Sequence, residues 1–267
     1  MDLKRILTAL CGLPAVILVF TLGNTYVIDI LLMAVAIVCM HEYLSVIKKV
    51  SHPLEWTAYA STVIIGIASL ATEDLIMKIV MYGIPFIMLL LFLKVIVTDM
   101  KTTFKDVAYT MLGIIYIVLF ILFLALIRGL QNGKILIGYT LVIAWSTDIF
   151  AYLIGRSFGK HKFSKVSPKK SIEGVIAGII GAVIMSIIYT SVMSKFFQIE
   201  YSILFIGISS AVLSILSQIG DFVASSIKRF ADVKDYGNIL PGHGGMLDRI
   251  DSLIFLAPFA YMLFSIM

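Results

Sequence analysis

Charge is scarce in this sequence: Asp, Glu, Lys and Arg make up 14% of its 267 residues while 60% are hydrophobic, where soluble domains carry about 25% charged residues. That shortage excludes a soluble globular protein, which has no way to place so much apolar surface inside. Cysteine is nearly missing as well. The two present, Cys11 and Cys39, both fall in apolar runs, which excludes a disulfide framework and offers no zinc-ligand spacing. No low-complexity tract, soluble module or polar linker interrupts the chain. With mean hydropathy at +1.04, what remains is an integral membrane protein.

A spanning helix takes about 20 mostly apolar residues, and nine segments qualify: 5–23, 25–45, 56–72, 75–97, 107–127, 135–155, 173–194, 201–227 and 249–267. The third is the weakest, being short and carrying several Ser and Thr. Lys4 and Arg5 before the first give it the look of a signal peptide, but its length and the want of a small-x-small cleavage site favour a retained helix. The expectation is an all-α polytopic protein with its N-terminus in the cytoplasm. On that topology 17 of the 21 Lys and Arg residues fall on the cytoplasmic side, leaving Lys78, Arg128, Lys134 and Lys195 outside, as the positive-inside rule requires. The net charge of +5 then reflects orientation and anionic headgroups, not nucleic acid. Polar residues divide the chain into 1–133, plain spans for packing and a lipid groove, and 134–267, where polar groups gather near and within spans.

Three polar constellations stand out. In the first, Asp148 interrupts an apolar run, and a carboxylate there needs a partner or a hydrated cavity. Helical spacing puts Asp148, Tyr152 and Gly155 on one face with Arg156 following, so an internal Asp148–Arg156 pair is the plain alternative. The basic loop after it reads SPKKSIEG, with Ser167, Lys169, Lys170, Ser171, Glu173 and Gly174. On charge alone it only sets topology, but adjacent lysines and hydroxyls ahead of a helix start suit phosphate. In the second, Gln218-x-Gly220-Asp221 ends about 20 apolar residues. If the helix continues, Asp221, Ser225 and Lys228 share a face with Arg229 adjacent, and Gly220 lets another helix or a substrate come close. The plain alternative is a helix end whose cations snorkel to headgroups.

The third constellation is PGHGGMLDRID, Pro241 to Asp251, leading into the last apolar run. Its glycines permit backbone amides to turn toward an anion. Asp248 and Asp251 sit three apart at a helix start, where capping needs one of them. Hard oxygen donors of this kind suit Mg²⁺, which is usually held by one or two carboxylates plus substrate phosphates. His243 is the one histidine nearby, suited to base or phosphate-ligand work or to a loop-stabilising hydrogen bond.

Read in order, these residues resemble the signature of the phosphatidate cytidylyltransferases, the CDP-diacylglycerol synthases of bacteria and organelles. The pattern is met by Ser225, Ile227, Lys228, Arg229, Lys234, Asp235, Gly237, Leu240, Pro241, His243, Gly244, Gly245, Met246, Asp248, Arg249, Ile250 and Asp251. The stretch from Asp148 to Gly174 is similar to the family's D-x-x-A-Y-x-x-G-R-x-F-G-K and S-P-K-K-T-x-E-G segments, with Ser171 in place of threonine. Glu42 matches, weakly, a glutamate of relatives. The motifs cover about half of the chain.

The resemblance implies an enzyme of the bacterial inner membrane, facing the cytoplasm, that converts CTP and phosphatidate to CDP-diacylglycerol and pyrophosphate for phospholipid biosynthesis. By that analogy Asp221 and Asp248 hold Mg²⁺, with or without a second cation. Lys228, Arg229, His243 and Asp251 complete the catalytic set. Asp148, Ser167, Lys169, Lys170, Glu173, Ser225, Lys234, Gly244, Gly245 and Arg249 bind the substrates. A homodimer is a family expectation. The rival readings are a cytidylyltransferase for another lipid phosphate, such as an isoprenoid-ether or polyprenol phosphate, and a transporter, which also sets charges and broken helices in the membrane. A transporter fits less well, because the polar groups gather at one boundary of one half and no inverted repeat is visible.

Overall fold

The structure is a computed structural model and describes residues 23–70, 73–164, 167–198, 201–240, 242 and 244–266. Among these there is no β-strand, only isolated bridges of Lys162 with Ser171 and Leu240 with Gly244. The helices are α1 (Thr25–Ile47), α2 (Glu55–Ala68), α3 (Glu73–Val97), α4 (Phe104–Gly113), a π-helical stretch (Ile114–Leu119), α5 (Phe120–Gly129), α6 (Gly133–Phe158), α7 (Ile172–Phe197), α8 (Ile203–Phe230) and α9 (Leu247–Ser265).

Among the described residues, six helical segments are long and apolar enough to cross a membrane: Tyr26–Ile47, Leu75–Val97, Phe104–Gly129, Gly133–Phe158, Ile172–Phe197 and Ile203–Phe230. Of the nine expected spans, the first, 5–23, lies outside the described residues except for its last position. The segment 56–72 forms the 14-residue α2, too short for a crossing of about 20 residues. Segment 249–267 corresponds to the 19-residue α9, whose first turns carry Asp248, Arg249 and Asp251.

The chain forms two compact units, one from the described residues of Met1–Gly129 with Phe230–Ile250, the other from Leu130–Arg229 with the described residues of Asp251–Met267. In the first, α1 starts at Asn24, whose side chain accepts the Val27 amide at 2.9 Å, supplying one of the orphan N–H groups a helix start leaves. A capping box, Thr103 with Asp106, opens α4. Asp106 also accepts the Ser51 hydroxyl and, at 2.7 Å, the His52 amide, so the α1–α2 connection is pinned to α4. Buried Tyr43 donates to the Tyr109 carbonyl at 2.8 Å and lies against Gly113. Near the far end of α1, buried Asp29 pairs with Arg128 at 3.1 Å.

The second unit is organised by the α6–α7 hairpin. Its inner faces are small: a Cβ on Gly174 would lie 2.8 Å from the Ala151 carbonyl oxygen and 3.1 Å from the Gly155 Cα, and one on Gly178 3.0 Å from the Thr147 carbonyl oxygen. Backbones approach there as small residues allow in membranes, where packing in place of water expulsion holds helices together. The seam between α6 and α8 is polar: Tyr139 meets the Ser209 hydroxyl at 2.8 Å and Thr147 donates to Ser214 at 2.8 Å. Gln218 on α8 donates to the Val175 carbonyl of α7 at 3.2 Å.

Candidate active site

The carboxylates of the second unit come together because glycine and serine let their helices meet. A Cβ on Gly220 would lie 2.5 Å from the Phe255 Cβ and 3.0 Å from the Asp251 carbonyl oxygen, so α8 and α9 touch at the turn that carries Asp221 and Asp251. The close approach expected of Gly220 is present, and the partner is α9. Asp251 is 6% exposed, accepts the Ser252 amide at 2.8 Å, and lies within electrostatic range of Asp221, Lys228 and Asp148. Asp148 accepts the Ser252 hydroxyl at 3.2 Å. Ser252 therefore links two of the three acids, a role that the sequence analysis missed. Its sole sequence signal is a hydroxyl beside an aspartate at the start of an apolar run.

Cations face these acids. Lys170 pairs with Asp221 and sits 4.4 Å from the Phe222 ring centroid, a placement that steadies an ammonium. Ser225 donates to Asp221 at 3.4 Å, confirming the shared helix face of 221 and 225. Arg156 donates to the Tyr152 hydroxyl at 2.9 Å.

The SPKKS loop is a built turn. The Lys170 amide donates to the Ser167 carbonyl at 3.0 Å, which puts Pro168 and Lys169 at its corners, with Lys169 exposed. Ser171 is spent on capping α7, accepting the Gly174 amide at 3.2 Å. Glu173 braces the same hairpin, contacting His161 Nδ1 at 2.7 Å and accepting its amide at 3.3 Å.

In the first unit the glycine motif forms a closed loop. Gly242 and Gly244 have φ of +78° and +87°, the left-handed region that glycine enters without strain, and Leu240 donates to the Gly244 carbonyl at 3.0 Å. Asp248 braces the loop at both ends, its Oδ2 accepting the Tyr236 amide at 2.8 Å and the Gly245 amide at 3.0 Å. The Gly245 amide, expected to face substrate phosphate, is thus held by a protein carboxylate. Glu42, on α1, accepts the Met246 amide at 2.9 Å and the Leu247 amide at 2.8 Å. Lys234 and Arg249 are exposed around this loop. His243 and Pro241 lie outside the described residues.

Among the described residues no three of His, Cys, Asp and Glu form a metal cage. Aspartate oxygens are hard donors that suit Mg²⁺ over zinc, and with one or two of them substrate phosphates would have to complete the shell. Asp221 is the candidate ligand of the second unit and Asp248 that of the first.

Comparison with known proteins agrees with the motifs. The model of the cytidylyltransferase family matches residues 3–267. A phosphatidate cytidylyltransferase of Staphylococcus haemolyticus is 33% identical over 259 residues, 95% of each chain. One of Bacillus subtilis is 40% identical over 183 residues, 68% of this chain and 66% of the relative. One of Thermotoga maritima is 39% identical over 172 residues, 63% of each. Matched over nearly its whole length, this chain belongs to the cytidylyltransferase family, and with it to the nucleotidyltransferases.

Proposed function

We propose that this protein transfers the cytidylyl group of CTP to phosphatidate, forming CDP-diacylglycerol and pyrophosphate at the cytoplasmic face of a bacterial membrane, as a step of phospholipid biosynthesis. The observation that carries the reading is the group Asp148, Asp221 and Asp251 with Lys170 and Lys228, gathered from α6, α8, α9 and the α6–α7 loop, in a chain of this family. The relatives named above act on phosphatidate, and the membrane character of the chain suits a lipid acceptor.

In this reaction an oxygen of the phosphatidate phosphate attacks the α-phosphorus of CTP. The bond from that phosphorus to the bridging oxygen breaks, and pyrophosphate leaves with the electron pair. A phosphomonoester with a second pKa of about 6 is already ionised, so the chain need supply no strong base. Both reactants are anions, and the work of the protein is neutralisation and alignment. Lys169, Lys170, Lys228, Arg229, Lys234 and Arg249 are the groups proposed to hold phosphates, with Ser167 and Ser225 as hydroxyl donors and Asp148 and Glu173 ordering the surroundings. Bound Mg²⁺ supplies charge for the pyrophosphate leaving group, and Asp221 and Asp248 are its proposed ligands. Acyl chains stay in the bilayer, among apolar helices such as α3, whose span is 6% buried within the protein.

The test is pyrophosphate release by detergent-purified full-length protein. Release that requires CTP, Mg²⁺ and phosphatidate together supports the reading. A higher kcat/KM with a polyprenyl or isoprenoid-ether phosphate would move the assignment to that acceptor, and release without any lipid would contradict it.

A further inference from the structure

Two acidic side chains occupy the amides at the start of α9, and they come from different places. Asp248 is local, three residues from Gly245. Glu42 reaches the Met246 and Leu247 amides from 204 and 205 residues away and is 2% exposed. It stands where a helix N-terminus favours an anion and satisfies two amides that would otherwise be orphaned. Room for it is made on both sides by residues without a side chain. A Cβ on Gly237 would lie 2.7 Å from Glu42 Oε1, and one on Gly245 2.6 Å from Oε2. All of these groups belong to the first unit.

We infer that Glu42 is a positioning residue: its carboxylate clamps the 237–247 loop onto α1, fixing Asp248 and Arg249 for catalysis, and Gly237 and Gly245 are glycine because the clamp passes between them. Three contacts set the orientation of Asp248, the amides of Tyr236 and Gly245 and the helix that Glu42 caps. Loosening the clamp lets the Gly245 end of the loop move and with it the carboxylate. The functional half of the inference rests on the cytidylyl-transfer reading with Mg²⁺; the clamp itself does not.

Two readouts on the full-length protein in detergent separate these. The first is trypsin cleavage without CTP, Mg²⁺ or lipid, following Lys234, just before the clamped loop, against Lys162 and Lys169 in the α6–α7 loop. The second is the Mg²⁺ concentration for half-maximal pyrophosphate release. Glu42→Gln keeps the shape but offers one oxygen and an amide group to two donors. We expect it to speed cleavage at Lys234 by about tenfold while leaving the other loop unchanged. It should also raise the Mg²⁺ requirement by about 10- to 100-fold, the usual effect of removing a group that orients a ligand, with KM for CTP changed much less. Gly237→Ala, which presses on the clamp without altering charge, should move both readouts the same way, and the surface variant Glu55→Gln should move neither. Cleavage and Mg²⁺ requirement within about twofold of the parent, or equal acceleration at both loops, would overturn the inference. A parent that releases no pyrophosphate would sink the reaction assignment while the cleavage readout still decides the clamp.

Discussion

Asp221 and Asp248 are the same side chain in different company. Asp221 faces a lysine and a serine, where charge neutralisation dominates, whereas Asp248 accepts two backbone amides, which fix its orientation. If both hold Mg²⁺, Asp221→Asn and Asp248→Asn should each lower kcat by at least about 100-fold, the scale expected when one preorganised electrostatic group is lost. Thermal unfolding in detergent should change little, because Asn keeps an oxygen that can accept. Retained turnover in either variant would remove that residue from the metal site. A different acid carries stability. Asp29 is buried with Arg128, and Asp29 Oδ1 and Arg128 Nε find no hydrogen-bond partner, so the pair is imperfectly satisfied. Arg128→Met alone should cost about 3–5 kcal/mol by stranding a buried carboxylate, while adding Asp29→Leu should recover most of that; unfolding midpoints of the two variants check the difference.

At the scale of elements, the α6–α7 hairpin depends on backbone contact. Gly174→Val would drive a side chain into the Ala151 carbonyl and the Gly155 backbone, neither of which can rotate away, and should destabilise the protein by about 1–3 kcal/mol, measured as thermal loss of the monodisperse peak in detergent. The sequence showed which helices exist, because apolar run length is a local property, and it showed that Gly220 admits a neighbour, because a glycine at the end of an apolar run has few other uses. Two things were hidden. The true length of α2 was obscured because Leu70 and Ala71 remain apolar after the helix ends at Ala68. The partner of the α9 amides was hidden because Glu42 lies about 200 residues upstream, and periodicity says nothing about contacts at that separation. Ser171 and Glu173 add contacts that the motif alone did not show: the serine caps its own helix and the glutamate braces the same hairpin.

For the whole molecule, the six apolar helical segments among the described residues make a membrane protein, and we propose from the distribution of Lys and Arg that Lys101 faces the cytoplasm and Lys195 the outside. In a variant lacking Cys11 and Cys39, a cysteine at Lys101 should react with an impermeant maleimide only in inverted vesicles, and one at Lys195 only in right-side-out cells; the reverse pattern would overturn the orientation. If the proposed site faces the cytoplasm, a basic rim there attracts anionic nucleotide, an effect that should weaken as salt rises.

The proposed reaction moves the cytidylyl group itself to lipid. Its most direct test supplies the purified protein with phosphatidate and Mg²⁺ and with CTP labelled at either the α- or the γ-phosphorus, then measures label in the lipid phase. Label at the α-position is expected to enter the lipid, one per acceptor consumed, while γ-label appears only in pyrophosphate. Label from the γ-position in lipid, or none from either position with folded protein, would contradict it.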